Sequence, residues 1–177
     1  MKSAILAASA CVAFSTTASA GGYLGLALGA QPGINDDMES EAQPLGRSLR
    51  GLVGLRFGNV SIEGAANGFN VLTQNHGEQT VYQLSGALKL SLPIGSNFEG
   101  FGRAGLERTW LNEGDERYDL AGNGFVVGGG FEYRLDAVLA HASLFVDYNV
   151  HHATLADTRH EVDETTRIWS LGFTVGI

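Results

Sequence analysis

The last thirteen residues of the chain, 165–177, limit the possible folds more than any other segment. From position 169 onward apolar and small residues alternate without exception: one face carries Trp169, Leu171, Phe173, Val175 and Ile177, and the other carries Ser170, Gly172, Thr174 and Gly176. Successive side chains of a β-strand point to opposite faces, so this segment is predicted to be a strand with one apolar face. Exposed strands of this kind promote aggregation. We therefore expect the strand to be paired on both edges, with its apolar face in a membrane.

Alternation of the same kind divides the rest of the chain into seven further segments, each near the ~9–11 residues of a tilted transmembrane strand. The eight predicted strands are residues 22–30, 48–57, 60–68, 80–92, 98–110, 124–134, 138–150 and 165–177. A few apolar residues break the alternation because they fall on the polar faces, namely Leu52, Phe101, Val126, Phe145 and Ile168. The eighth strand is expected to pair with the first and to close a barrel.

Short and long connections alternate between the predicted strands. The short ones are residues 58–59, 93–97 and 135–137, and the long ones are residues 32–46, 69–79, 110–121 and 152–164. Short turns on one side and long loops on the other are typical of outer-membrane barrels, whose turns are periplasmic and whose loops are extracellular. The predicted fold is therefore all-β, an eight-stranded antiparallel up-and-down transmembrane β-barrel.

The polar faces of the predicted strands carry equal numbers of basic and acidic residues. An eight-stranded barrel encloses a space only just wide enough for side chains, and an unpaired charge in that space is very costly. We therefore predict a paired charge network in the lumen, consisting of Arg50, Arg56, Glu63, Lys89, Glu99, Arg103, Glu107, Glu132, Arg134 and Asp147. Because these side chains fill the lumen, little or no ion conduction is expected.

The predicted long loops are acidic. They hold thirteen acidic residues and only two basic ones, Arg117 and Arg159, so the net charge of −8 is a property of the outer surface. This balance argues against nucleic acid as a partner. The carboxylates could hold divalent cations that bridge to lipopolysaccharide phosphates, since hard cations prefer oxygen ligands. Alternatively, the loops are acidic because they are solvated, or they contact surface ligands.

Residues 1–20 have the features of a secretory signal peptide. Lys2 precedes an apolar run over residues 4–14, and a stretch of small residues ends in an A-x-A motif at Ala20, so Gly21 is the expected first mature residue. An alternative is lipoprotein cleavage before Cys11, although the preceding residues lack the usual leucine. Removal of residues 1–20 would leave one barrel domain, residues 21–177, without any cysteine.

Aromatic residues on the apolar faces cluster near the ends of the strands. Those predicted at the periplasmic rim are Phe57, Phe98 and Tyr133, and those predicted toward the outer rim are Tyr82, Trp110, Phe125, Tyr148 and Trp169. Such girdles are typical of the two membrane interfaces. A soluble ligand-carrying barrel of the lipocalin type is the alternative. Its outer face would have to be the glycine- and serine-rich one, which carries too little charge for a soluble surface.

Several strand segments resemble the OmpA-like outer-membrane β-barrel family, namely residues 101–107, 127–134, 142–148 and 171–175. The resemblance implies an eight-stranded barrel in the outer membrane, here without the periplasmic peptidoglycan-binding domain of larger members. The last residues also resemble the recognition signal that the barrel assembly machinery reads, at Ser170, Gly172, Val175 and Ile177. The family more often has aromatic residues at the last two of these positions. The resemblance implies two partners, outer-membrane lipid or lipopolysaccharide and the assembly machinery.

Three sequence motifs bear on catalysis or binding. Some small outer-membrane barrels modify lipid A, and the deacylases among them combine a His and a Ser two residues apart with a Glu from the adjacent strand. Here His152, Thr154 and Glu164 would take these places, with threonine instead of serine. The glycines of residues 100–105 match a dinucleotide motif, but they lie within a predicted strand. The spacing of His151, His152 and His160 does not support a metal site.

The sequence therefore favours a small integral outer-membrane protein with a structural, surface-interaction or narrow-pore role. We expect it to have no catalytic residues, no cofactor and no metal. The alternative is a lipid A-modifying enzyme of the deacylase type. In that reading His152 is the catalytic base, whereas in the favoured reading the histidines are solvated residues at the rim.

Overall fold

The computed structural model describes residues 20–35, 42–73, 77–112, 120–137, 140–156 and 161–176. These residues form nine strands: β1 (Ala20–Gly29), β2 (Gly33–Asn35), β3 (Ala42–Phe57), β4 (Val60–Thr73), β5 (Gly77–Pro93), β6 (Phe98–Asn112), β7 (Leu120–Ala137), β8 (Ala140–Ala156) and β9 (Glu161–Gly176). Within the described ranges no helix is long and apolar enough to cross a membrane. The predicted signal peptide lies outside these ranges, apart from the backbone of Ala20.

The strands form one closed antiparallel barrel. From β3 onward each strand pairs with the next in sequence, and β1 pairs with β3 on one side and with β9 on the other. The closing pair runs from Tyr23 opposite Gly176 to Gly29 opposite Ser170. The short strand β2 follows a bend at Gln31 and continues the pairing with β9 toward the end of the barrel that has the long connections, called the outer end below. The predicted eight-stranded fold, closed by its first and last strands, is therefore confirmed.

The register of the strands is staggered around the barrel. The row of paired residues that starts at Ala20 on β1 passes through β3 and each later strand to Trp169 on β9. The backbone oxygen of Trp169 then accepts a hydrogen bond of 2.7 Å from the amide of Ala30, ten residues beyond the starting point. Strand number and stagger together set the tilt and width of a barrel, and tilts of about 35–45° are typical. The interior therefore has room for side chains and little else.

The outer wall is apolar around the whole circumference. Large apolar residues that face outward, such as Leu24, Leu88 and Leu171, each expose more than half of their surface. Tyr133 and Phe98 face outward near the short turns, whereas Tyr82 and Trp169 face outward toward the other end. An exposed apolar band with aromatic residues at both edges is the wall that a transmembrane barrel presents to lipid.

The predicted long loops are wrong in extent, because the strands continue into them. β4 and β5 occupy most of residues 69–79, and β2 with the start of β3 occupies much of 32–46. The strands β8 and β9 likewise extend into 152–164, and β6 and β7 extend into 110–121. Four segments between strands at the outer end lie outside the described residues, namely 36–41, 74–76, 113–119 and 157–160.

A reversal of the alternation accounts for this error. In the outer parts of the strands the apolar side chains face the interior, while polar side chains such as Asn70 and Thr154 face outward. The inward residues form an outer apolar cluster in which no member exposes more than 9% of its surface, consisting of Ile34, Phe69, Val71, Val81, Leu111 and Ile168. Above the apolar band the wall therefore has the usual pattern of a half-exposed sheet, apolar inside and polar outside.

The turns on the other side are short. Gly58 adopts a φ of 63° in the two-residue turn between β3 and β4, a left-handed conformation that favours glycine. The turn predicted at 135–137 is displaced, since β7 continues to Ala137 and β8 starts at Ala140. Residues 138 and 139 lie outside the described ranges, and the predicted strands 124–134 and 138–150 are accordingly longer or shifted.

Candidate functional site: the charged lumen

The ten charged residues assigned to the lumen from the sequence all face the interior. Eight of them expose at most 7% of their surface. The other two, Arg56 and Arg134, lie at the end with the short turns, and their side chains are 24% and 40% exposed. The ten residues come from β3 to β8, where alternate positions point inward.

Six of these residues form one continuous chain of alternating charge, which we call the lumen ion chain. It runs from Glu132 through Lys89, Glu63, Arg103 and Asp147 to Arg50. The Nζ atom of Lys89 lies 2.6 Å from Glu132 Oε2 and 3.6 Å from Glu63 Oε1. Arg103 lies between two carboxylates, 3.3 Å from Glu63 and 3.2 Å from Asp147. Arg50 ends the chain, with its Nη2 atom 2.5 Å from Asp147 Oδ2.

Alternation of sign makes this chain possible in a buried space. Lys89 and Arg103 are directly opposite each other on β5 and β6, so their like charges would repel without a carboxylate between them. Glu63 supplies that carboxylate and contacts both. The chain contains as many anions as cations, and burial of charge is tolerated only when each ion has such a partner.

A second group closes the end of the lumen near the short turns. Glu99 accepts two parallel hydrogen bonds of 2.9 Å from Arg56, the bidentate geometry that gives Arg–carboxylate pairs their strength. Arg134 forms an ion pair with the same carboxylate. Glu99 is itself opposite Glu132 on the neighbouring strand, so the two arginines also shield one carboxylate from the other.

The apolar residues that broke the sequence pattern have a role in the lumen. Leu52, Phe101 and Phe145 pack together with Ala27 in an inner apolar cluster. The Phe101 ring lies under two cations, 4.4 Å from Lys89 Nζ and 5.0 Å from the guanidinium carbon of Arg103. These distances are within the range of cation–π attraction. The aromatic rings therefore stabilise the ion chain as well as filling space.

Tyr23 belongs to the site, although the sequence analysis did not select it. Its hydroxyl donates a hydrogen bond of 2.6 Å to Glu63 Oε1. The ring occupies the space above Gly54, its neighbour on β3, where any Cβ atom would collide with it. Parity was the available signal, since position 23 shares the inward face of β1 with Gly25 and Ala27.

The outer part of the lumen contains a further buried pair. The Nδ1 atom of His151 lies 2.5 Å from Glu107 Oε2, and both residues are 5% exposed. Thr109 donates a hydrogen bond of 3.3 Å to the other carboxylate oxygen. The prediction that His151 is a solvated rim residue is therefore wrong. It continues the inward face of β8 after Asp147 and Asn149, and β8 extends beyond the predicted end.

The lumen is filled in layers along its length. Beginning at the short turns, these are the Glu99 group, the lumen ion chain with the inner apolar cluster, the His151–Glu107 pair and the outer apolar cluster. Asn67 and Gln83 hydrogen-bond to each other at 2.9 Å between the last two layers. Polar and apolar layers thus follow one another along the lumen.

The residues proposed for a deacylase-like site are not brought together. His152 and Thr154 face outward on β8, whereas Glu164 is 7% exposed and lies on the inward face of β9, where it accepts a hydrogen bond from Thr166. The partner of His152 is Thr165, 3.0 Å from its Nδ1 atom. Thr154 donates to Asp163 at 2.8 Å. Glutamate at position 164 has the wrong parity, because neighbouring residues of a strand face opposite sides.

The histidines do not converge on a metal site. His151 faces the lumen and His152 faces outward, while His160 lies outside the described residues. Among the residues that the structure describes, no group of three His, Cys, Asp or Glu is placed to bind a metal ion. The glycines of the dinucleotide-like motif lie within β6 and are not followed by a helix.

The residues of the predicted assembly signal lie at the end of β9. Ser170 and Gly172 face inward and are buried, and Val175 faces outward with 41% of its surface exposed. Ile177 lies outside the described residues. The C-terminal part of β9 thus has the alternation that the assembly machinery is expected to read.

The sequence matches a known protein family. Residues 3–176 match the family described as outer membrane protein beta-barrel domain. The chain belongs to this family. The match covers nearly the whole sequence, so the predicted relationship to OmpA-like outer-membrane barrels is confirmed. No curated protein matches the sequence.

Solved structures with the same fold include three small outer-membrane barrels. Neisserial surface protein A superposes with a TM-score of 0.62 at 13% identity, covering 87% of this chain and 96% of that one. The N-terminal β-barrel domain of Pseudomonas aeruginosa OprF gives 0.57 at 10% identity, with coverages of 89% and 99%. The attachment invasion locus protein Ail of Yersinia pestis, in complex with a heparin analogue, gives 0.52 at 13% identity, with coverages of 88% and 99%. At these identities the likeness concerns the fold.

Proposed function

We propose that the protein is an integral outer-membrane barrel with a structural or surface-interaction role, and that its lumen does not conduct ions. The observation that carries this proposal is the lumen ion chain, which crosses the interior from β7 to β3 and leaves its charges paired with one another. A permeating ion would have to break these pairs. The two apolar clusters add barriers without water-binding groups.

Conductance in planar lipid bilayers tests the closed lumen. The expected result is the absence of stable openings after insertion of the folded protein. Insertion must be established separately, by flotation of the protein with liposomes and by its resistance to added protease. Large stable openings of protein whose insertion has been established in this way would overturn the proposal.

We further infer that the short turns face the periplasm and the long connections face outward. This orientation is supported by the acidic connecting segments, which would be solvated outside the cell, and by the general architecture of outer-membrane barrels. Outer-membrane lipid, lipopolysaccharide and the barrel assembly machinery are the proposed partners. That the acidic connections hold divalent cations or bind surface ligands is likewise a proposal.

The proposed role is not enzymatic. In support of this, His152 and Glu164 lie on opposite faces of the barrel wall, so they do not form a base with its orienting carboxylate. Mass spectrometry of lipid A from cells with and without the gene tests the point. An unchanged acylation pattern is expected, and a change that depends on His152 would contradict it.

A further inference from the structure

Three of the arginines that the structure describes face outward, in contrast to the five cations in the lumen. Arg47, Arg108 and Arg167 lie on β3, β6 and β9, whereas Lys89 and the other described arginines point inward. On each of these strands the arginine is the first charged residue of the outward face, counted from the end with the short turns. On β9, for example, Arg167 follows Val175, Phe173, Leu171 and Trp169.

Their position along the strands places these arginines at the outer edge of the apolar band. Outward-facing acids among the described residues occur only beyond that level, as at Glu78 and Asp163. Arg108 lies against an aromatic girdle residue, with its guanidinium carbon 5.5 Å from the centre of the Trp110 ring. The membrane interface at this end therefore meets cations first and carboxylates further out.

A groove lies in the apolar wall below two of the arginines. Its volume is about 1020 Å³, and it follows the row of paired residues from Val60 on β4 to Trp169 on β9. The floor is formed where Gly102 and Gly129 are opposite each other and leave no side chains on the outer face. Leu90 and Phe131 are among the side chains that line it.

One end of the groove lies next to Arg167. Trp169 is its last residue on β9, and Arg167 is the next outward-facing residue on that strand. Arg108 lies four residues beyond the groove residue Ala104 on β6, with Leu106 between them on the outward face. It is three strands away from Arg167. The paired row through Arg108 reaches β9 at Asp163, four residues from Arg167. With ~4.8 Å between neighbouring strands and ~3.3 Å per residue along a strand, the two arginines project from points about 20 Å apart along the wall.

We propose that Arg108, Arg167 and the groove form a binding site for one phosphate-bearing acylated lipid of the outer leaflet, the lipid A part of lipopolysaccharide. The guanidinium groups would bind phosphates of its head group, because their planar donors match phosphate oxygens in bidentate geometry. An acyl chain would lie in the groove over Gly102 and Gly129. Charge at the interface and apolar space at acyl depth are the two features that such a lipid complements.

This site rests on the proposed orientation, in which the arginine end faces outward. Orientation is tested independently: a protease-cleavable tag is inserted within residues 113–119 of the protein, and protease is added to intact cells. Cleavage from outside is expected. Binding to lipid A is measured on purified folded protein in micelles, so a failure of the site and a failure of the orientation give different results.

The experiment measures lipid A binding by native mass spectrometry, together with the shift in unfolding temperature that lipid A produces. One bound lipid A per barrel and a raised unfolding temperature are expected. Dephosphorylated lipid A and phosphatidylethanolamine lack the phosphate pair. Their affinity should therefore be lower by a factor of about ten or more. Equal binding of the dephosphorylated lipid would overturn the proposal.

Variants separate the head-group contact from the groove. The double variant Arg108→Gln/Arg167→Gln should weaken binding about tenfold, and Gly102→Leu should weaken it by filling the groove. Gly102 is open enough for a side chain, because a Cβ atom there has no contact nearer than 4.0 Å. Ala104→Leu is a second groove variant in case Gly102→Leu fails to fold.

Matched controls lie elsewhere on the wall. Arg47→Gln removes the third outward arginine, and Gly51→Leu adds the same apolar side chain on β3, where a Cβ atom also has open space. Both should bind lipid A like the wild type. Binding unchanged in both the arginine and the groove variants would overturn the site. A concentration-dependent dimer that is lost in Gly102→Leu, without a lipid adduct, would assign the groove to a second copy instead.

Discussion

Arg50 and Asp147 contact each other across the lumen, 2.5 Å apart, although β3 and β8 are not neighbours in the barrel. The contact joins residues 97 positions apart in sequence. Asp147 is fully buried and contacts Arg103 as well. One carboxylate thus connects opposite walls and compensates two guanidinium groups, so the interior contributes to the stability of the closed barrel.

Substitution of Asp147→Asn should strongly destabilise the folded protein. It leaves Arg50 without its ionic partner, and removal of one member of a buried ion pair costs about 3–5 kcal/mol. Urea unfolding in lipid vesicles, followed by tryptophan fluorescence, measures this loss. Asp163→Asn is the matched control, because Asp163 is exposed on the outer face. A variant at position 147 no less stable than the control would show that the lumen pair is not stabilising.

The His151–Glu107 pair should behave as a coupled unit. His151→Leu leaves the Glu107 carboxylate buried with Thr109 as its remaining side-chain partner, which should cost about 1–3 kcal/mol. Replacement of both residues by leucine removes the unsatisfied charge, so the double variant should recover most of the loss. A double-mutant cycle in the same unfolding assay measures the coupling. Strictly additive effects would argue against the contact.

Phe69→Ala should destabilise the outer end of the barrel. Phe69 is 3% exposed in the outer apolar cluster, and truncation of a buried phenylalanine typically costs about 3–5 kcal/mol. Leu72→Ala on the same strand is the control, since Leu72 faces outward and is 44% exposed. Limited proteolysis of the outer strand ends should also be faster in the Phe69 variant. Equal stability of the two variants would mean that the outer strands are held by other contacts.

The sequence predicted the membrane-embedded part of the barrel well, because period-two alternation directly encodes which side chain faces lipid. Residues such as Glu63, Lys89 and Asp147 were assigned to the interior on parity alone, and the structure places them there. The assembly role of Ser170 and its neighbours stays a prediction.

Parity does not determine which charges meet. A shift of two residues between neighbouring strands preserves every face but changes every partner. The contact between Arg50 and Asp147, and the position of Arg103 between two carboxylates, depend on the stagger of the whole barrel. That stagger is a sum over eight pairings and cannot be read from any one strand.

The outer end was predicted poorly for a different reason. The prediction assumed that apolar residues of a strand face outward. Phe69 and Val71 did not fit this pattern, because in the outer part of β4 the apolar residues face the interior. The same bias placed His151 in solvent. The outward arginines, Arg108 and Arg167, lay at predicted strand ends and were assigned to neither the lumen nor the loops. Their common level becomes apparent only when the strands are aligned.

The central claim, a barrel closed by its first and last strands in a membrane, is tested most directly by gel migration in SDS before and after boiling. Closed membrane barrels stay folded in SDS until heated and then change their mobility. The unboiled protein is expected to migrate at a different apparent mass from the boiled protein. Removal of residues 165–177, which include most of β9, should abolish this difference together with membrane insertion. Identical mobility of the membrane-inserted wild type before and after boiling would contradict the account.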